Sequence, residues 1–131
     1  MSDAVKDAAA VRRGYVFFNS GDLAGLAGVF AEDVIWHAAG NNQLSGEKRG
    51  RDACFAYFGR LAELSGGTFR AELHDVVSGE AHTVGVHTSV AEREGRRLNE
   101  RTLLLLHMHD GTILEGWEYY ENPSRVDAFF G

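Results

Sequence analysis

The order of patterns along this chain predicts an α+β fold: a curved antiparallel sheet wrapped around N-terminal helices, forming a cone with an apolar pocket. Three observations carry that prediction. Apolar residues recur at helical spacing as far as Leu64, the period changes to two from Thr68 onward, and Asp110-Gly111 joins two long apolar segments as a tight hairpin does. Helices first and hairpin-linked strands afterwards is the sequence order of an α+β domain.

Element by element, Asp3 to Asn19 predicts a helix with Val5, Ala9, Tyr15 and Phe18 among its apolar positions, closed by Asn19-Ser-Gly21. Asp22 is placed to cap a second helix running to Phe30, through Leu23, Leu26, Ala27 and Phe30. The β-formers Val34, Ile35 and Trp36 make Asp33–Ala38 a short strand, and Gly40–Gly50 reads as a polar loop. Arg51–Leu64 returns to helical spacing and stops at Gly66-Gly67. Four long antiparallel strands then run to Tyr120, with turns at Glu80-Ala-His82, Gly95-Arg-Arg97 and Asp110-Gly111, and Ser124–Phe130 closes the chain as a helix.

With 131 residues, 44% of them apolar, the chain suits one domain over residues 1–131. A chain of that size removes roughly two-thirds of its extended surface from water without needing a disulfide or metal staple. Cys54 has no cysteine partner, and Pro123 is the single proline. The net charge of −6 argues against a nucleic-acid partner, since phosphate binding needs clustered Lys and Arg. No segment approaches the roughly 20 apolar residues of a membrane span, and the first residues lack signal-peptide character, so a cytoplasmic location is expected.

The hairpin Arg101–His109 with Thr112–Tyr120 sets His107, His109, Glu118 and Tyr120 into an otherwise apolar sheet. Titratable groups in such a setting line a pocket more readily than they face water, which points to a small-molecule site. Six histidines raise a metal set of His107 and His109 with His87 or His37, but their spacing matches no metal signature, and no metal is expected. Cys54, at a helical position, suits a small buried hydrophobe better than a nucleophile.

Several stretches together resemble the SnoaL-like family of the nuclear-transport-factor-2-like superfamily, which includes ketosteroid isomerase, polyketide cyclases and limonene epoxide hydrolase. They are Phe18-Asn-Ser-Gly-Asp-Leu23, Val29-Phe-Ala-Glu-Asp-Val34, Leu44-Ser-Gly46 with Gly50-Arg-Asp-Ala53, Gly67–Val76, Asp110–Tyr120 and Asp127-Ala-Phe-Phe130. The resemblance implies a cystatin-like α+β roll, a homodimer through the outer sheet face, no cofactor, and an apolar pocket in the cone. Members of that family do unrelated chemistry, so the fold locates the site without naming the reaction.

Carried over by alignment, the isomerase's oxyanion tyrosine falls on Gly14, its general-base aspartate on Ala38 and its protonated aspartate on Leu105, so all three roles are vacated. His37 neighbours one of those positions. The hydrolase's arginine between two carboxylates has no counterpart beyond Glu118, which also lies nearest the acid that cyclases place near the end of the last strand. The resemblance thus points to Glu118, His37 and Tyr120 as candidate catalytic groups, and an imidazole near neutrality on this hairpin adds His107. Tyr15, Phe18, Trp36 and Phe58 are expected to border the cone, and Leu103 and Leu105, on the strand face of His107 and His109, to join the pocket wall.

Two readings of Glu118 stand side by side: a buried base with a raised pKa, or a carboxylate turned outward toward Arg101. The expected function is cofactor-independent proton abstraction, giving cyclisation or isomerisation, on an apolar, polycyclic or aromatic carbonyl compound. Glu118 or His37 would be the base, with His107 or Tyr120 steadying the enolate. A non-catalytic binder of an apolar small molecule would use the same cone; an epoxide hydrolase or a dimeric interaction module fits the residues less well.

Overall fold

The computed structural model describes residues 3–131. Asp3 caps α1 (Ala4–Ser20) by accepting from the N–H groups of Val5 and Lys6, and Gly21 ends it in the left-handed region at φ 71°. The second helix, α2 (Leu23–Ala27), is shorter than its spacing predicts. Phe30 joins a strand instead, β1 (Phe30–Ala38), because its backbone pairs with Ile113 far along the chain, and tertiary pairing overrides a weak local propensity.

The loop expected between Gly40 and Gly50 contains a strand, β2 (Gly46–Arg49), pairing antiparallel with β1. Its Gly-Glu-Lys-Arg sequence shows no apolar alternation because an edge strand is held by backbone hydrogen bonds and buries little. After α3 (Arg51–Leu64) come β3 (Arg70–Ser78), β4 (Thr83–Arg93), β5 (Arg96–His109) and β6 (Thr112–Tyr120). Asn122 caps the closing helix α4 (Pro123–Phe130), whose first residue is the proline. The β4–β5 turn falls at Glu94-Gly95, slightly earlier than expected, and both it and Asp110-Gly111 use paired positive-φ residues.

The fold is α+β, with one six-stranded sheet in the order β2-β1-β6-β5-β4-β3. It is antiparallel except where β1 runs parallel to β6. The sheet curves without closing, and α1 and α3 fill its concave side. Among the described residues no helix is long and apolar enough to cross a membrane.

Along β5 the concave side receives Leu98, Glu100, Thr102, Leu104 and Leu106, and along β6 it receives Ile113, Gly116, Glu118 and Tyr120. The opposite parity, Leu103, Leu105 and His107 with Glu115, Trp117 and Tyr119, lies on the convex side, where none of these side chains is fully buried. A bulge opposite His107 and Met108 absorbs Leu114, so Ile113 rather than Leu114 faces inward.

Candidate functional site

Two in-strand glycines make room for the rings that build the site. A Cβ at Gly116 would meet the Trp36 ring at 2.5 Å, and one at Gly85 would meet the Tyr15 hydroxyl at 2.6 Å. Trp36 on β1 sits beside Gly116 on β6, so its indole lies across that position and reaches Glu118. Tyr57 belongs to the buried stripe of α3, with Cys54 and Leu61, and comes to the same carboxylate from the helix side.

Glu118 is therefore inside the cone, 8% exposed, and accepts from four groups. Its Oε2 receives Trp36 Nε1–H at 2.9 Å and the Tyr57 hydroxyl at 2.8 Å. Oε1 receives the Tyr120 hydroxyl at 3.1 Å and the Ala39 N–H at 3.2 Å. Burial pushes this carboxyl above its ordinary value of 4.5, while the four donors pull the other way without cancelling the rise. Burial and the adjacent carboxylate together hold the Tyr57 and Tyr120 hydroxyls well above their ordinary range.

A second polar cluster lines the same cavity. The Tyr15 hydroxyl meets His87 Nδ1 at 2.7 Å, His87 Nε2 meets Ser89 Oγ at 3.0 Å, and Ser89 Oγ meets Thr102 Oγ1 at 2.9 Å. Burial lowers His87 to about 4, with His74 contributing, so the imidazole is neutral near pH 7. The shared cavity is small, about 70 Å³, and its remaining wall is apolar. Ring contacts among Phe18, Phe30, Trp36 and Phe58, with centroids 5.2–5.9 Å apart, fill much of the cone. The space admits a few waters or a single-ring molecule; a polycycle needs those rings to move.

Of the expected wall residues, Tyr15, Phe18, Trp36 and Phe58 line the cavity together with Glu118 and Tyr120. Leu103 and Leu105 do not: they sit on the convex side, and Leu104 and Leu106 take their place. His107 shares their parity and is exposed, packed edge-on against Trp117 and near His82. His37 is also outside the cone, stacked on Trp117 and bound to Glu115 at 2.7 Å. The physical reason is one of strand parity. Trp36 points inward, so its neighbour cannot.

His107 and His87 lie on opposite faces, so the metal set considered from the sequence is not assembled. Among the described residues no group of three or more metal-ligating side chains forms. Tyr57 and the cluster of His87, Ser89 and Thr102 carry no site signal in the apolar pattern of the sequence. In β4 the valines 84 and 86 alternate with Gly85 and His87, and apolar alternation suggests that the valines face inward. The valines face outward instead. A glycine next to a histidine in the same parity was the available signal, since in-strand glycine marks close approach by another group.

A solved nuclear-transport-factor-2-like protein of Burkholderia pseudomallei shares the fold, with 18% identity and a TM-score of 0.84, covering 95% of this chain and 97% of its own. The chain belongs to the SnoaL-like domain family, whose model matches residues 11–116. An uncharacterised protein of Mycobacterium tuberculosis (strain ATCC 25618 / H37Rv) is 34% identical over 121 residues, 92% of each chain. The structure of Bal32a, from a soil-derived mobile gene cassette, is similar at 36% identity and a TM-score of 0.95, covering 98% of both chains. IdmH of Streptomyces antibioticus, a candidate polyketide cyclase, shares the fold at 19% identity and a TM-score of 0.76, covering 92% of this chain and 96% of its own.

Proposed function

We propose that this SnoaL-like protein catalyses cofactor-independent proton abstraction from a small, enolisable, apolar carbonyl compound, leading to isomerisation or ring closure, with Glu118 as the base. The observation that carries the reading is a buried carboxylate with a raised pKa at the wall of an apolar cavity. That IdmH is a candidate polyketide cyclase supports the reaction class.

The proton inventory gives the step its logic. While Glu118 is ionised, Tyr57 and Tyr120 spend their hydroxyl protons on it. A substrate C–H proton transferred to Oε1 leaves its electron pair as an enolate and displaces the Tyr120 donation. Tyr120 then turns its proton toward the enolate oxygen, so that base and oxyanion donor are linked through one carboxyl group. Returning the proton at another carbon completes an isomerisation; attack of the enolate on a second carbonyl closes a ring.

A second reading, a non-catalytic binder using the same cavity, draws on the four donors that already satisfy Glu118. The hydrolase reading loses ground, since among the described cavity residues Glu118 is the single carboxylate and no arginine stands beside it. The test is α-hydrogen exchange of single-ring ketones in D₂O, followed by NMR. The wild-type protein accelerates exchange over buffer, and Glu118→Gln loses about 10²-fold or more of that rate. If ketones that bind exchange no faster than in buffer, the binder reading replaces this one.

A further inference from the structure

The second cluster has a direction built into it. The backbone carbonyl of Glu100 can only accept, so Thr102 Oγ1, 3.1 Å away, gives it the hydroxyl proton. Thr102 then accepts from Ser89, whose own proton is thereby spent, and Ser89 accepts from His87 Nε2–H. A neutral imidazole carries one N–H, so Nδ1 is the bare nitrogen and the Tyr15 hydroxyl donates to it. Each link follows from the one before.

The consequence reaches the cavity. Tyr15 is buried, lines the cavity and gives its proton to His87, so its oxygen keeps lone pairs that no described residue uses. In the first cluster the protons of Trp36, Tyr57 and Tyr120 are spent on Glu118. In its resting state the wall thus offers hydrogen-bond acceptors and holds its donors back.

We propose that the cavity selects apolar single-ring ligands bearing a hydroxyl donor, phenols, cyclic alcohols or the hydroxylated members of the carbonyl class proposed above, and that Tyr15, positioned by His87, is the residue that binds this hydroxyl. A ligand that cannot donate leaves the acceptor side of the Tyr15 hydroxyl unused, and that difference makes the choice. Gly85, under the Tyr15 hydroxyl, is two strands from Glu118 through Leu104. At about 4.8 Å per strand spacing the two backbone positions are about 10 Å apart. The inference does not require Glu118 to accept a proton. A failed exchange assay with a successful hydroxyl test would remove the base and leave the binding specificity.

The test uses phenol and its near-isostere toluene, titrated by NMR into wild-type protein and Tyr15→Phe. The preference for phenol over toluene is expected to fall about tenfold in Tyr15→Phe, with toluene affinity unchanged. An unchanged preference, or no phenol binding by the wild type, overturns the proposal. Independently of any variant, ¹⁵N NMR of the free protein should show His87 protonated at Nε2 and bare at Nδ1; the opposite tautomer also overturns it.

Discussion

At the scale of single residues, burial decides which titratable groups matter. His87 is the clearest case, because its imidazole is neutral in the fold with a pKa of about 4 against an ordinary 6.5. Between those values the unfolded chain binds the proton and the folded chain does not, so stability falls as pH drops from 6.5 toward 4. The loss reaches up to about 3 kcal/mol. Glu118 works in the opposite sense: its raised pKa favours the fold most below 4.5, and that contribution is lost as pH rises. Urea titrations of wild type and His87→Gln across pH 4–7 should show the acid-side loss in the wild type and a shallower slope in the variant. Parallel slopes would mean that His87 protonates readily in the native state. None of this follows from residue identity, since His87 and His107 are the same residue in the same kind of strand and differ only in the face they occupy.

At the scale of elements, the two ends of sequence reading separate. The long helices α1 and α3 and the run from β3 to β6 were legible because helical spacing gives way to a period of two within a few residues. β2 was not, having no apolar pattern to show. Facing was harder still, since the sheet carries apolar residues on both sides: Leu103 and Leu105 outside, Leu104 and Leu106 inside. A run of four leucines gives no parity, which is why His107 was expected in the pocket. Resemblance placed Glu118 and Tyr120 on the cavity side, where the structure also has them, whereas sharing a strand face with His107 set Leu103 and Leu105 there too. Gly116 is the element-level hinge of the site. Gly116→Ala should cost about 1–3 kcal/mol through overpacking against Trp36. It should also pull the indole from Glu118, visible as loss of the Trp36 Nε1–H signal at its native shift. An unperturbed indole signal with native stability would show that Trp36 can yield without cost.

At the scale of the whole molecule, the sheet divides two kinds of chemistry. Its concave side holds a cavity lined by two polar clusters, whose members Thr102 and Tyr120 are register partners on β5 and β6. Its convex side displays His37, His107, Trp117 and Tyr119 along β1, β5 and β6. The carboxylate and the rings around it come from β1, α3 and β6, segments distant in sequence. The site therefore exists only when the cone is assembled, and the sequence shows its members without showing their meeting.

The account rests on burial outweighing four hydrogen-bond donors at Glu118. The direct measurement is a ¹³C NMR titration of the Glu118 side-chain carboxyl in the native protein. The account predicts a midpoint above the ordinary 4.5. A midpoint at or below that value would mean that the donors prevail and Glu118 is a fixed anchor for Trp36, Tyr57 and Tyr120, leaving the cavity a binding site without a base.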